Sequence, residues 1–491
     1  MQQSDDYKWK TLDRDLGRIS QVEYATQYVA RPMVGLGIAL AFIVLAALGA
    51  MLVFGSEPGS LVVVAAAAFG AYMAINIGAN DVANNMGPAV GAKALTMGGA
   101  IVIAALCESA GALLAGGDVV STISKGIIDP AAMADTQTFI WAMMAALVSS
   151  ALWVNLATWV GAPVSTTHSV VGGVMGAGIA AAGFAAVNWV SMGQIALSWI
   201  VSPVLGGLVA AGFLAFIKWR VIYVPDKIEA ARFWVPVLTG VMMGVFAVYL
   251  SVKGLKKIIS IDLPFALLIG VIVGIVVFAA STPLVRRQSE GLENRNRSLK
   301  VLFGLPLVIS AGLLSFAHGA NDVANAVGPL AAIVHAEGVG AFAGEVQIPL
   351  WVMIIGACGI SFGLVLFGPK LIKMVGSQIT KLNPMRAYCV ALSAAITVIV
   401  ASWLGLPVSS THIAVGGVFG VGFFREWHAE RRVRQLSKNR PERMIAKEER
   451  RRRKLVRRSH FMTIVAAWVF TVPAAAVLSG VIFLALTGLF G

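Results

Sequence analysis

Charge is scarce in this chain: Asp, Glu, Lys and Arg make up 13% of its 491 residues, where soluble domains carry about 25%. With 58% of the residues apolar and a mean hydropathy of +0.82, an ordinary soluble domain is excluded. Cysteine is rarer still. Cys107, Cys358 and Cys389 fall in or beside apolar stretches without metal-ligand spacing or an even pairing, which leaves no disulfide framework and makes them packing residues. Alternation of period two is absent, which argues against a closed barrel of short strands. There is no Gly-x-x-x-x-Gly-Lys-[Ser/Thr] loop to cradle a nucleotide, so ATP-driven pumping has no sequence support. The first 32 residues contain no short apolar core followed by a small-residue cleavage site, and they are assigned to a retained cytoplasmic tail.

What the chain has is apolar length. A helix crossing the hydrocarbon needs roughly 20 mostly apolar residues. Eleven runs qualify as candidates: Val34–Phe54, Leu61–Ile77, Ile101–Ala115, Ile140–Val160, Ile195–Ile217, Val235–Val252, Leu263–Ala280, Val301–Phe316, Leu350–Phe367, Ala387–Leu404 and Phe461–Leu489. They predict an all-α polytopic membrane protein, embedded in the lipid bilayer of a bacterial inner membrane. The 52 glycines fit, because small residues let membrane helices approach where no hydrophobic force drives them together. The net charge of +14 does not call for nucleic acid, because ten units of it sit between Arg425 and Arg458, with fifteen Lys and Arg against five Glu. Loops rich in Lys and Arg stay cytoplasmic, so that run is a topology determinant, with anionic headgroups or a protein partner as its alternative ligands. Arg286, Arg287, Arg295, Arg297 and Lys300 form a second, smaller cytoplasmic cluster.

Two motifs occur twice. Gly78-Ala-Asn-Asp-Val-Ala-Asn84 recurs unchanged as Gly319-Ala-Asn-Asp-Val-Ala-Asn325, an offset of 241 residues. Pro163-Val-Ser-Thr-Thr-His168 recurs as Pro407-Val-Ser-Ser-Thr-His412, an offset of 244. Preserved order and spacing mark the duplication of a unit of about 120 residues, too long for a solenoid period. The resulting plan is a tail (1–32), an extra helix and loop (33–59), repeat one (60–183), connecting helices with a basic loop (184–301), repeat two (302–424), a basic loop (425–460) and a last helix (461–491). Membrane proteins built from two such halves are typically transporters, with the site where the repeats meet. Whether the halves run parallel or antiparallel depends on how deeply Ser165–Phe184 and Ser409–Phe424 enter the membrane, which hydropathy leaves open.

Each first motif places Asn, Asp and Asn beside glycine at the end of an apolar run, with a proline shortly after: Asn80, Asp81, Asn84 and Pro88, then Asn321, Asp322, Asn325 and Pro329. Such composition predicts a helix break lining a polar cavity. A carboxylate at membrane depth is costly unless paired or protonated, so Asp81 and Asp322 are candidate functional residues. Carboxylate, amide and backbone oxygens suit a hard cation; simple helix capping is the bland alternative. The second motif sets Ser165, Thr166 and Thr167, and again Ser409, Ser410 and Thr411, just after a proline, the signature of a helix start. Free N–H groups, the positive end of the helix dipole and hydroxyl donors favour an oxyanion there, although the hydroxyls could instead bond their own helix.

An anion beside two carboxylates requires co-bound cations or protons, which predicts ion-coupled secondary transport. His168 and His412 close the second motifs and could shuttle protons or orient the neighbouring hydroxyls. Glu108 is a further candidate for ion coupling or for a structural hydrogen bond. His318 precedes the second Asn-Asp motif where the first has Ile77, so it stands outside the duplicated plan.

At these residues the chain resembles the PiT family of inorganic phosphate transporters, whose signature is a duplicated Gly-Ala-Asn-Asp-Val-Ala-Asn motif accompanied by Pro-Val-Ser-[Ser/Thr]-Thr-His. The resemblance covers residues 60–424 and implies symport of inorganic phosphate with Na+ or H+, inverted-topology repeats with re-entrant helices, and often a homodimer. It implies cation coordination by Asp81, Asn84, Asp322 and Asn325, and phosphate binding by Ser165, Thr166, Thr167, Ser409, Ser410 and Thr411, with help from Asn80 and Asn321. Glu108 matches a family glutamate. No enzymatic activity, cofactor or nucleic-acid partner is implied. Within the family, sulfate or a metal–phosphate complex is the alternative cargo. An anion channel would more naturally show rings of like residues. An intramembrane hydrolase would need one asymmetric triad where this chain has two equal sets.

Overall fold

The structure is a computed structural model that describes residues 33–55, 59–160, 164–254, 259, 261–339, 348–374, 382–439 and 458–490. The assigned N-terminal tail, Pro163 and residues 440–457 of the basic loop lie outside the described residues.

Helix α1 (Met33–Phe54) precedes α2 (Ser60–Asn80), α3 (Val82–Gly91), α4 (Met97–Ala115) and the short α5 (Gly117–Ser121). A hairpin of α6 (Thr136–Val160) and α7 (Thr166–Ala182) leads to α8 (Trp189–Ile217), α9 (Lys227–Tyr249) and α10 (Leu263–Ser289). The single turn α11 (Leu299–Leu302) opens the second half, which continues with α12 (Gly304–Val339) and α13 (Leu350–Met374). A second hairpin of α14 (Pro384–Trp403) and α15 (Ser410–Asn439) is followed by α16 (Arg458–Phe490). Among the described residues there is no strand beyond one isolated bridge, Ile128 with Val187. Among the described residues, eleven helical stretches are long and apolar enough to cross a membrane, one for each apolar run of the sequence. The outer helices confirm what surrounds them. Leu267, Leu268, Val271, Ile272, Ile275 and Val276 of α10 are each 51–62% exposed, a continuous apolar surface that water would not tolerate.

The break that the Asn-Asp composition predicts is one residue wide at the first motif and absent at the second. Asp81 is a single irregular residue between α2 and α3, with right-handed φ −85° and ψ −32° and its N–H bonded to the Ile77 carbonyl. Asp322 lies inside the uninterrupted α12. The side chains of these motifs find partners on other helices, so the backbone keeps its own ladder. The chain is broken more widely between α6 and α7 and between α14 and α15. At the second break Leu406, which precedes Pro407, lies outside any helix, as the clash with the proline ring favours, and at the first Ser165 is extended at φ −89° and ψ 122°.

The two halves exchange partners. α2 packs on α13 and α12 packs on α4, each at a glycine where a side chain cannot fit: a methyl on Gly78 would run into the Ile360 carbonyl, and one on Gly319 into the Glu108 carbonyl. The hairpins are exchanged likewise, with Gly172 of α7 against Val472 of α16 and Gly416 of α15 against Pro203 of α8. The run α2–α3 lies antiparallel to α12, since Gly59 meets Glu337, Gly70 meets Leu330, and Lys93 and Lys300 line one cavity.

Candidate functional site

The tips of the two hairpins meet the two Asn-Asp motifs in the buried centre. Ser165 and Ser409 cap α7 and α15 by accepting the backbone N–H of His168 (3.2 Å) and His412 (3.4 Å). Each cap keeps its own hydroxyl proton for another acceptor. The hydroxyls that follow reach both aspartates. Thr166 donates to Asp81 at 2.8 Å and Ser410 to Asp322 at 3.1 Å, each within its own repeat. Thr411 donates to Asp81 and Thr167 to Asp322, both at 3.3 Å and both across the repeats. Asn84 donates to Thr411 at 2.9 Å and Asn325 to Thr167 at 3.0 Å, again as a crossed pair. Eight of the residues expected from sequence to bind two ligands, two Asp, two Asn and four Ser/Thr, therefore form one network related by a pseudo-two-fold axis.

Asn80 and Asn321 bond to the arms of the hairpins. Asn80 donates to Thr158 of α6 at 2.7 Å. Asn321 donates to Ser402 of α14 (3.0 Å) and to the Leu406 carbonyl (3.2 Å) and accepts the Val408 N–H (3.2 Å). They fasten each hairpin to the helix that carries the aspartate. Thr158 and Ser402 were missed in the sequence; the available signal was their equivalence at the same 244-residue offset, a hydroxyl in each apolar helix.

Asp81 and Asp322 are 2% and 1% exposed. One carboxylate oxygen from each and a ring nitrogen of His318 lie within 4.8 Å of one another, a spacing at which one small cation could be shared. His318 Nε2 approaches Asp322 at 2.6 Å and its Nδ1 meets Glu108 at 2.5 Å, and Asn85 donates to the other Glu108 oxygen at 3.0 Å. Glu108 thus belongs to the centre through His318, which sequence reasoning left without a role. Ile77 and Ile360, both fully buried, occupy the equivalent places in the other half. His168 and His412 lie on the opposite side of the hairpin tips with ring centroids 4.6 Å apart, and Trp199 covers His168 at 3.9 Å.

Carboxylates, hydroxyls and amides gathered in this way can bind and release ions. Comparison with known proteins agrees. Residues 77–479 match the phosphate transporter family. A Helicobacter pylori protein named "Putative phosphate permease" is 44% identical over 96% of this chain and 98% of its own length. The chloroplastic inorganic phosphate transporter 2-1 of Arabidopsis thaliana is 37% identical over 84% of this chain and 70% of its own. A solved structure described as the sodium-dependent phosphate transporter superposes with a TM-score of 0.77 at 34% identity, covering 87% of this chain and all of that one.

Proposed function

The chain belongs to the phosphate transporter family, a family of multi-pass membrane transporters and not of enzymes, and from that premise we propose that it carries inorganic phosphate inward by symport with sodium across the bacterial inner membrane. The observation that carries this reading is the single buried network in which four hydroxyls from both hairpin tips donate to Asp81 and Asp322.

Electrostatics supplies the coupling. A phosphate anion at the hairpin tips faces two carboxylates, and each like-charge pair at about 4 Å costs roughly 4 kcal/mol at an effective dielectric of 20. Sodium on the carboxylates reverses that sign. It also competes for the carboxylate lone pairs that now accept from Thr166, Thr167, Ser410 and Thr411. A hydroxyl released by its aspartate turns its proton to a phosphate oxygen, and the α7 and α15 N-termini add their dipoles. Neither ion binds well without the other, so the downhill ion drives the uphill one. The antiparallel course of α2–α3 and α12 supports duplication with inverted topology, and a carrier of this kind alternates its access by moving one half against the other.

The test is uptake of radiolabelled phosphate into liposomes holding the purified protein under a sodium gradient, a proton gradient or neither, with excess sulfate as competitor. Accumulation under the sodium gradient alone, insensitive to sulfate, is the expected result. Accumulation under the proton gradient replaces the coupling ion, competition by sulfate widens the cargo, and equilibration without accumulation sinks symport in favour of a channel.

A further inference from the structure

Away from the aspartate centre, one end of the bundle carries a cavity of about 470 Å³ whose lining includes Lys218, Arg297, Lys300, Arg386 and Arg425. A second cavity of about 590 Å³ shares Lys300 and Arg386 with it and adds Lys93 and Lys373. No Asp or Glu is among the described residues that line either one. These seven cations come from the ends of α3, α8 and α13, from the segment around α11, and from α14 and α15, so segments far apart in sequence converge on one place.

Positive charge on cytoplasmic ends is ordinary where it is solvated, as for Arg286 and Arg287 in the last turn of α10, where the helix dipole favours them. The cavity differs in two respects. Arg386 and Arg425 are only partly exposed and line the same space, with no carboxylate partner for either guanidinium among the described residues. Arg386 also stands in the first turn of α14, two residues after Pro384, where the dipole opposes a cation. Partly desolvated like charges held together without a counter-ion cost free energy in any fold. The side-chain amides of Asn296 and Asn383 line the cavity as well and add neutral donors. Its volume falls in the range of roughly 300–1,000 Å³ typical of small-molecule sites.

We propose that this basic cavity is a second anion site, distinct from the transport centre, that binds a multivalent phosphate-bearing anion from the cytoplasmic side through Arg386 and Arg425. Arginine forks match phosphate oxygens two at a time, while Lys218, Arg297 and Lys300 supply charge around the rim. The same chemistry is offered by a free phosphoanhydride and by an anionic lipid headgroup, and the two sources are separable.

Inorganic pyrophosphate is titrated calorimetrically into the full-length protein in detergent, and unfolding temperatures are compared in nanodiscs of phosphatidylglycerol and of phosphatidylcholine. Saturable pyrophosphate binding that weakens with added salt is expected. Arg386→Gln with Arg425→Gln should weaken it at least about tenfold, whereas Arg386→Lys with Arg425→Lys keeps most of it. Ser410→Ala, at the transport centre, should bind as the wild type does. Absence of pyrophosphate binding together with phosphatidylglycerol stabilisation that the Gln pair loses identifies a lipid headgroup as the occupant. If the Gln pair aggregates, Arg297→Gln with Lys300→Gln at the exposed rim takes its place, with a loss of about threefold. Undiminished binding in the charge-removing variants, or no response of the wild type to either probe, overturns the proposal. Because binding is read without transport, failed uptake in liposomes leaves this outcome intact.

Discussion

Replacing Asp81 or Asp322 with Asn separates charge from shape at the centre. The amide fills the same space and keeps one acceptor oxygen, so the hydroxyls of Thr166 and Thr411 around Asp81, and of Thr167 and Ser410 around Asp322, retain part of their bonding. What disappears is a unit charge opposite the bound cation. At about 4 Å and an effective dielectric of 20 that charge contributes roughly 4 kcal/mol, and the hydration the cation surrenders takes part of it back. A net loss of about 3 kcal/mol corresponds to roughly a hundredfold at 1.4 kcal/mol per decade. Sodium-driven phosphate uptake at sub-saturating sodium should therefore fall about a hundredfold in either variant. Stability should move the other way at Asp81, which has no cationic side chain bonded to it among the described residues: a buried carboxylate without a counter-charge costs several kcal/mol, so Asp81→Asn should unfold at or above the wild-type temperature in sodium-free buffer, whereas Asp322→Asn also loses its contact with His318. The rise in unfolding temperature that sodium gives the wild type should vanish. Wild-type uptake, or a preserved sodium-dependent shift, would refute the assignment of these carboxylates to the cation.

Thr411→Val keeps the shape of the side chain but removes both the donor to Asp81 and the acceptor for Asn84, and the phosphate KM should rise about tenfold in the liposome assay. Glu108→Ile and His318→Ile each break a buried pair, leaving His318 with Asp322 alone or Glu108 with Asn85 alone, and should each destabilise the protein by about 3 kcal/mol in chemical unfolding. The double variant recreates the apolar pair Ile77 and Ile360 of the other half and should recover most of that loss; a double variant no better than the worse single one contradicts the equivalence. Gly319→Ala drives a methyl into the Glu108 carbonyl, whereas Gly98→Ala meets nothing within 4 Å. Only the former should lower the yield of folded protein on gel filtration.

The spans and the duplicated motifs were legible in the sequence because each has a local signal: apolar length for the former, identity at a fixed offset for the latter. The helix break was not. Asn and Asp beside glycine look like helix breakers from sequence, yet Asp322 sits within a continuous α12, where His318 and Asn325 of the same helix and hydroxyls of α7 and α15, more than 80 residues away in the chain, satisfy its side chain. The bonding between the two motifs was not legible either, because each motif was read on its own: the hydroxyls of the second donate to the carboxylates of the first. His318 and Glu108 illustrate a third limit. Nothing in the sequence links the two, which stand 210 residues apart, and only the crossing of α12 over α4 makes them a pair.

The crossed bonding bears on how transport is coupled. Consecutive hydroxyls on the α7 tip divide between the two halves, Thr166 to Asp81 and Thr167 to Asp322, and on the α15 tip Ser410 and Thr411 divide in the opposite sense. A displacement of either hairpin therefore changes the surroundings of both carboxylates at once. Two independent half-sites would let one ion leave while the other stays, which dissipates the gradient. Under the proposed assignment, an ion leaving one aspartate would free lone pairs that recapture hydroxyls from both tips, weakening the grip on the anion and on the second ion together. The duplication supplies two chemically similar carboxylates, and the exchange of hairpin contacts ties the surroundings of one to those of the other.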